Sequence, residues 1–202
     1  QQQESNMWDK LYSAEDYVYG STPNEFLQAY APQLPKGRVL CLGDGEGRNS
    51  VYLAQQEYQV TAVDLSSVGI AKAKRLAARH GVMVEYIQAD LADFSLGDNR
   101  WDAIVSIFCH LPAGLRQQVH QQVCQALTPG GMFLLEGYTP EQLQLATGGP
   151  KAIAMLLDKD EVAAELSPLR FLHLKALQRP VIEGIKHTGM GAVLQLLAQK
   201  PR

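Results

Sequence analysis

The apolar residues of the first two thirds of the chain fall into short continuous runs, which alternate with longer stretches of helical spacing. Runs without polar alternation are typical of strands that are covered on both faces, and strands alternating with helices indicate βαβ units and a parallel sheet. The predicted strands are residues 38–42, 59–64, 82–90, 101–108 and 132–136. The predicted helices between them are residues 49–56, a helix beginning at 65–67, and residues 115–127.

The last third of the chain has a different pattern. Two β-like runs, residues 171–181 and 190–198, are joined by a glycine-containing connection of hairpin length. Strands joined so closely must be antiparallel. Residues 141–146 and 160–166 are predicted to be helical. We therefore expect a parallel sheet that is closed by an antiparallel hairpin.

The segment before the first strand is rich in aromatic residues. Helices are predicted to begin near residues 7–12 and to cover residues 25–30, with a loop of aromatic and turn residues at 17–24. Such aromatic side chains either pack onto the domain or form a lid over the neighbouring loop. We expect residues 1–36 to form a helical lid segment and residues 37–202 to form a single globular domain.

Three glycines, Gly43, Gly45 and Gly47, lie between the first predicted strand and the first predicted helix. Glycines in this position permit a tight turn and let a ligand touch the backbone, and the helix start offers unpaired N–H groups to an anion. The dinucleotide fingerprint G-x-G-x-x-G requires a third glycine where this chain has Arg48. The spacing G-x-G-x-G is by itself also compatible with a turn that binds no ligand.

Composition and charge exclude several classes of function. The 202 residues are 46% hydrophobic and 19% charged, and the net charge of -3 without a basic tract disfavours a nucleic-acid surface. No apolar run approaches the roughly 18 residues of a membrane span, and we expect no signal peptide. Three cysteines, Cys41, Cys109 and Cys124, lack metal-type spacing, so we expect no metal site and a reducing, cytoplasmic location. A monomer or weak dimer is expected.

Five landmarks resemble those of class I S-adenosylmethionine (SAM)-dependent methyltransferases over roughly residues 37–199. They are the glycines of motif I, an acid at the end of strand 2, an acid after strand 3, motif IV at strand 4, and the turn into strand 5. The matching residues are Gly43, Gly45 and Gly47, then Asp64, then Ala89-Asp90-Leu91, then residues 101–110, and then residues 127–135. The resemblance implies a three-layer, Rossmann-like, doubly wound α/β fold, whose seven-stranded mixed sheet ends in an antiparallel C-terminal hairpin strand.

The resemblance also implies SAM as the cofactor. Asp64 would bind the ribose hydroxyls and Asp90 would lie near the adenine, although either carboxylate could instead cap a helix. The family usually has an acid where this chain has Cys41, so Asp44 or the lid segment is expected to hold the methionine amino group. The implied cofactor-binding residues are Gly43, Asp44, Gly45, Gly47, Asp64, Leu65, Ala89, Asp90, Leu91, Ile107 and Phe108.

Residues that follow strand 4 are expected to face the transfer site, because ligands of open α/β sheets lie outside the carboxyl ends of the strands. His110 is the candidate catalytic residue, since an imidazole there could take a proton from the acceptor or hold an anionic one. Packing or helix capping is the alternative. Tyr19, Arg48 and His187 are candidate acceptor-binding residues. Arg48 could instead hold the methionine carboxylate or be a solvated charge, and His187 could be an exposed loop histidine. Cys109 is expected to fill space rather than act as a nucleophile.

A narrower resemblance points to the tellurite-resistance (TehB-type) branch. It rests on Tyr19-Gly20 through Pro23-Asn24, and on Gly47-Arg48-Asn49-Ser50 with Tyr52-Leu53-Ala54. It implies methyl transfer to a small acceptor, such as a thiol, tellurite or selenite. Two alternatives remain, a non-catalytic SAM-binding protein and an NAD(P)-binding Rossmann-type protein, and Arg48 and the terminal hairpin argue against the second.

Overall fold

The computed structural model describes residues 2–145, 148–150, 152–182, 184 and 188–202. Its helices are α1 (Gln2–Tyr12), α2 (Glu25–Tyr30), α3 (Arg48–Gln55), α4 (Ser67–Arg79), α5 (Ala113–Ala126) and α6 (Lys159–Glu165). Its strands are β1 (Arg38–Leu42), β2 (Gln59–Asp64), β3 (Glu85–Gln88), β4 (Trp101–Ile107), β5 (Leu127–Tyr138), β6 (Arg170–Ile182) and β7 (Thr188–Gln199). Short 3₁₀ helices cover Ala31–Gln33, Pro140–Gln144 and Ile153–Met155.

The strands form one seven-stranded sheet in the order β3-β2-β1-β4-β5-β7-β6. The strands from β1 to β5 pair in parallel, whereas β7 is antiparallel to both β5 and β6. Because β1, β2 and β4 are parallel, their carboxyl ends lie at one edge of the sheet. The strand order reverses at β1, with β2 on one side and β4 on the other, and ligands of such sheets bind at that point. The predicted doubly wound mixed sheet with an antiparallel hairpin is confirmed.

Helices cover both faces of the sheet. Alternate residues of β1 point to opposite sides, so that Leu40 and Leu42 join one apolar cluster while Val39 and Cys41 join another. The first cluster includes residues of α5 and α6, and the second includes residues of α2 and α3. This burial on two sides explains why the central strands are apolar throughout.

Several of the predicted elements differ from the observed ones. The strand predicted at residues 82–90 is only Glu85–Gln88, because it lies at the sheet edge and pairs only with the last four residues of β2. Strand β5 begins earlier than predicted, because Leu127 already pairs with Trp101. The helix predicted at 141–146 is a short 3₁₀ turn, Pro140–Gln144, in which the Gln142 side chain accepts from the N–H of Ala192; residue 146 lies outside the described residues.

None of the helices in the described ranges has both the length and the apolar character that a membrane span requires.

Candidate active site

The glycines after β1 adopt backbone conformations that other residues avoid. Gly43, Gly45 and Gly47 have φ angles of 59°, 62° and 96°. A Cβ atom at Gly43 would lie 2.6 Å from Sγ of Cys109, and one at Gly47 would lie 2.6 Å from Cβ of Ala73 in α4. Glycine is therefore required at both positions for close packing as well as for the turn.

Asp64, at the end of β2, is fixed against this glycine loop. Its carboxylate accepts hydrogen bonds from the N–H of Gly45 at 2.7 Å and from the N–H of Ser66 at 2.9 Å. Burial raises the pKa of Asp64, and the backbone N–H groups of Ser66, Gly45 and Leu65 act in the opposite direction. The structure thus joins the two sequence landmarks that were predicted to hold SAM.

Asp44 accepts hydrogen bonds from the first turn of α3. Its two carboxylate oxygens accept from the Oγ of Ser50 at 2.6 Å and from the N–H of Ser50 at 3.2 Å. Burial, with a smaller contribution from Asp64, raises the pKa of Asp44 to about 6. Cys41 is buried in the core, and its pKa is raised by burial and then by the charge of Asp44, so a carboxylate lies close to the position at which the family usually has an acid.

An Asp44→Asn variant is expected to gain stability relative to the native chain as pH rises. The pKa of about 6 in the folded chain exceeds the ordinary value of about 3.9, so the stability contributed by the protonated carboxyl is present below about pH 4 and is lost as pH rises through 6. Asparagine stays neutral at both pH values. The free energy of unfolding of Asp44→Asn, relative to that of the native chain, should therefore rise by about 1–2 kcal/mol between pH 4.5 and 8.

Urea denaturation at both pH values measures this difference, with Asp98→Asn as a control at an exposed carboxylate. A difference between Asp44→Asn and the native chain that does not change with pH would mean that the pKa of Asp44 is not raised.

Arg48 is the first residue of α3 and is only 7% exposed, so the solvated-charge alternative is wrong. Its positive charge lowers the pKa of Tyr19, although burial dominates and raises that pKa to about 12. The same charge also lowers the pKa of Asp44. Arg48 and Tyr19 therefore lie close together beside the glycine loop.

The residues after β3 lie next to those after β2. The N–H of Ala89 donates to the carbonyl oxygen of Asp64 at 3.0 Å, which joins the two strand ends. The carboxylate of Asp90 accepts from the N–H of Ala92 at 2.8 Å, so it caps the following turn. Leu65 directly follows β2, and Leu91 is buried in the core cluster with α5.

The exit from β4 has an unusual backbone. Ile107 is buried, and Phe108 has a φ angle of 47°, which is an outlier for a bulky residue and costs about 1–2 kcal/mol. The N–H of Phe108 donates to the carbonyl oxygen of Glu136 at 2.7 Å, which holds this conformation. Burial and nearby Asp64 raise the pKa of Cys109 to about 12, so at neutral pH it is a thiol and not a nucleophilic thiolate.

His110 is held by the end of β5. Its Nε2 accepts from the N–H of Tyr138 at 2.9 Å, and its ring stacks on that of Tyr138 with centroids 5.7 Å apart. Because Nε2 is an acceptor, the neutral ring carries its proton on Nδ1. His110 can therefore donate from Nδ1, but it can take a proton at Nε2 only by breaking the bond to Tyr138. The third acceptor-site candidate, His187, lies outside the described residues.

The sequence reasoning missed a buried charged residue on β5. The Glu136 side chain has no exposed surface, and it accepts from Nη2 of Arg179 at 2.5 Å, from Nε of Arg179 at 2.9 Å, from Gln195 at 2.8 Å and from Asn24 at 2.8 Å. The signal available in the sequence was that Glu136 is an acidic residue at the end of the apolar run 132–136. This network connects β5 with β6, β7 and the start of α2.

The sequence reasoning also did not single out Tyr12, which lies against the glycine loop. Its hydroxyl is 3.0 Å from the position of a Cβ at Gly45, and its ring is 3.0 Å from that at Gly69. Burial raises the pKa of Tyr12, and the charge of Asp64 raises it further. Asp9, one turn earlier in α1, accepts from the Oγ of Ser66 at 2.6 Å. The end of α1 therefore covers Gly45 and Asp64.

Comparisons with known proteins agree with this geometry. A family model described as a methyltransferase domain matches residues 39–131. The 2-heptyl-1-hydroxyquinolin-4(1H)-one methyltransferase of Mycobacteroides abscessus is 24% identical over 170 residues, which are 80% of this chain and 75% of that protein. The chain spans about half the length of other curated methyltransferases that it matches.

Solved structures show the same fold. TehB from Haemophilus influenzae is 19% identical with a TM-score of 0.72, over 98% of this chain and 67% of that one. The [4+2]-cyclase SpnF is 16% identical with a TM-score of 0.73, over 99% and 96% of the two chains. The methyltransferase-domain match over residues 39–131 and these solved structures, together with motif I, the strand-2 acid and the seven-stranded sheet, support a class I SAM-dependent methyltransferase whose fold resembles that of TehB.

Proposed function

We propose that this chain transfers the methyl group of SAM to a small-molecule acceptor at the carboxyl edge of β4 and β5. The observation that carries the proposal is the hydrogen bond of 2.7 Å between Gly45 and Asp64, which unites motif I with the strand-2 acid. In this proposal residues 1–36 act as a lid segment and residues 37–202 form the methyltransferase domain.

The residues present fit SAM. A carboxylate has about four acceptor positions, so Asp64 can accept from ribose hydroxyls while it holds the N–H groups of the loop. Gly43 and Gly45 let a ligand approach the backbone closely. We assign the methionine carboxylate to Arg48 and the start of α3, where positive charge and N–H groups converge. Asp44 is the candidate for the methionine amino group.

When bound, SAM supplies a methyl group on a sulfonium, which an in-line nucleophile of the acceptor can take. The task of the protein is then to orient the acceptor and to exclude water, and positioning alone supplies a large part of the rate. We assign His110 to hydrogen bonding with the acceptor, as a donor from Nδ1. Tyr19 and His187 remain the candidates for holding the rest of the acceptor, and Arg48 joins them only if it does not hold the methionine carboxylate.

For the acceptor we propose a soft nucleophile or oxyanion, such as a thiol, tellurite or selenite, on the resemblance to the TehB-type branch. A hydroxyl on an aromatic ring is the second candidate. It is favoured by the aromatic side chains at this edge, where the rings of Phe108 and Tyr138 lie 4.8 Å apart and His110 stacks on Tyr138. A screen of both acceptor classes with SAM labelled in its methyl group distinguishes them.

The alternative is a SAM-binding protein that transfers no methyl group, and the fold of SpnF shows that this architecture also serves a cyclase. Labelled methyl in a product decides between the two. A non-transferring protein would bind SAM and S-adenosylhomocysteine and yet yield no labelled product with any acceptor.

An Asp64→Ala variant is expected to bind SAM more weakly by about 1.5–3 kcal/mol, the range for a hydrogen bond to a charged group. Titration calorimetry with SAM and S-adenosylhomocysteine measures the loss, and Asp98→Ala, at an exposed carboxylate, is the control. Unchanged affinity in Asp64→Ala would show that Asp64 does not bind the ribose. The contact between Gly45 and Asp64 would then no longer support SAM binding at this loop.

A further inference from the structure

Residues 13–20, which we call the strap, connect α1 to the loop before α2 and cross the glycine loop. We propose that Glu46, between Gly45 and Gly47, is a positioning residue that fastens the strap to the glycine loop and so slows the departure of the cofactor. The inference rests on the proposed function, because it assumes that SAM binds at this loop.

Glu46 is a charged residue in an enclosed position. It is 4% exposed, and its Oε1 accepts from the N–H of Val18, in the strap, at 2.7 Å. Its carboxylate also forms an ion pair with Lys72 of α4, and both side chains are only 3% exposed. An acid between glycines of a loop usually points into water, so this burial indicates a specific partner.

Lys72 binds the strap as well. Its Nζ donates to the carbonyl oxygen of Ala14 at 2.8 Å and to that of Asp16 at 2.6 Å. The hydroxyl of Tyr17 donates in turn to the carbonyl oxygen of Lys72 at 3.1 Å. The pair of Glu46 and Lys72 therefore supplies hydrogen-bond partners to a strap that has no regular secondary structure of its own.

The strap lies between the glycine loop and the hairpin of β6 and β7. Tyr12, directly before the strap, covers Gly45, and its ring meets that of Tyr19 edge to face at 6.3 Å. On the other side, a Cβ at Gly184 would lie 2.3 Å from the carbonyl oxygen of Val18. Tyr12 is thus held over the loop near Asp64, where we place the cofactor, and Tyr19 packs against Tyr12.

A buried ion pair is weak evidence for stability, because desolvation offsets much of the attraction, but removing one partner leaves an uncompensated charge. Loss of the Glu46 charge, as in Glu46→Gln, would leave the ammonium of Lys72 uncompensated beside the strap, although the glutamine oxygen could still accept from the N–H of Val18. The strap should then open more often. A ligand beneath it would dissociate faster, since most effects of such contacts fall on the dissociation rate.

The test is stopped-flow measurement of S-adenosylhomocysteine binding to Glu46→Gln and Lys72→Met, with Lys74→Met, an exposed lysine of the same helix, as the matched control. We expect the dissociation rate to rise about tenfold in the first two variants, the association rate to change less than about threefold, and the control to match the native chain. Hydrogen exchange should accelerate in residues 13–20 and stay unchanged in the central strands.

The double variant Glu46→Gln/Lys72→Met separates a functional pair from two independent effects. If the two residues act together, its dissociation rate should exceed neither single rate by more than about twofold. Unchanged dissociation and unchanged exchange in Glu46→Gln would overturn the inference, and so would faster exchange spread over the whole sheet. A native chain that binds neither SAM nor S-adenosylhomocysteine would instead overturn the proposed function.

Discussion

Replacing Glu136 by alanine is expected to lower the free energy of unfolding by about 3–5 kcal/mol, the range for breaking a buried ion pair from one side. The variant leaves the guanidinium of Arg179, which is 12% exposed, without the carboxylate that it binds with two nitrogens. Asn24 and Gln195 lose an acceptor at the same time. Chemical denaturation at pH 7 measures the loss.

Glu25→Ala is the matched control, because Glu25 faces the same arginine from the surface. Its carboxylate is 4.0 Å from Nη1 of Arg179 and 71% exposed, so its removal should cost less than about 1 kcal/mol. Equal losses in the two variants would show that burial does not govern the energy of this network.

Replacing His110 by alanine is expected to lower kcat/KM for the acceptor by about 10²-fold, while the affinity for SAM changes by less than about threefold. The reason is that His110 lies at the exit of β4, where its ring is fixed by the N–H of Tyr138 and stacked on the Tyr138 ring. A group fixed in this way at the exit of β4 can orient an acceptor, whereas the residues proposed to hold SAM are centred on Gly45 and Asp64. Steady-state kinetics and calorimetry together measure the two effects.

His80→Ala, at an exposed histidine after α4, controls for loss of a histidine elsewhere in the chain. If His110→Ala weakens SAM binding and leaves the turnover of the bound complex intact, His110 belongs to the cofactor pocket. Tyr19, Arg48 and His187 would then be the next candidates for positioning the acceptor.

The parts of the site that depend on local sequence were predictable. The G-x-G-x-G spacing after a buried strand predicted the turn at Gly43, and the position of Asp64 at the end of the next strand placed it at the same sheet edge. Because β1 and β2 pair in parallel, the glycine turn after β1 and the acid at the end of β2 lie next to each other. The parallel sheet followed from the alternation of strands and helices, whereas the seven-stranded, doubly wound fold was implied by the family resemblance.

The parts that depend on distant partners were not predictable. Glu136 binds Asn24, which is 112 positions away in the chain, and Arg179, which is 43 positions away. Glu46 and Lys72 each have the charge that usually indicates a solvated position, and only their contact with each other allows both to be buried. Single residue types carry no information about such pairs, because the pairing is created by the tertiary fold.

The position of β6 at the outer edge of the sheet has a consequence for self-association. An edge strand of 13 residues offers a row of unpaired backbone groups to which another molecule could add a strand. In β6 that row is interrupted by Pro180, which has no N–H to donate. The same strand also carries the exposed, charged side chain of Lys175. Charged and proline residues at such edges oppose sheet-to-sheet aggregation. We therefore expect concentrated solutions of the chain to resist the growth of intermolecular β-structure from this edge.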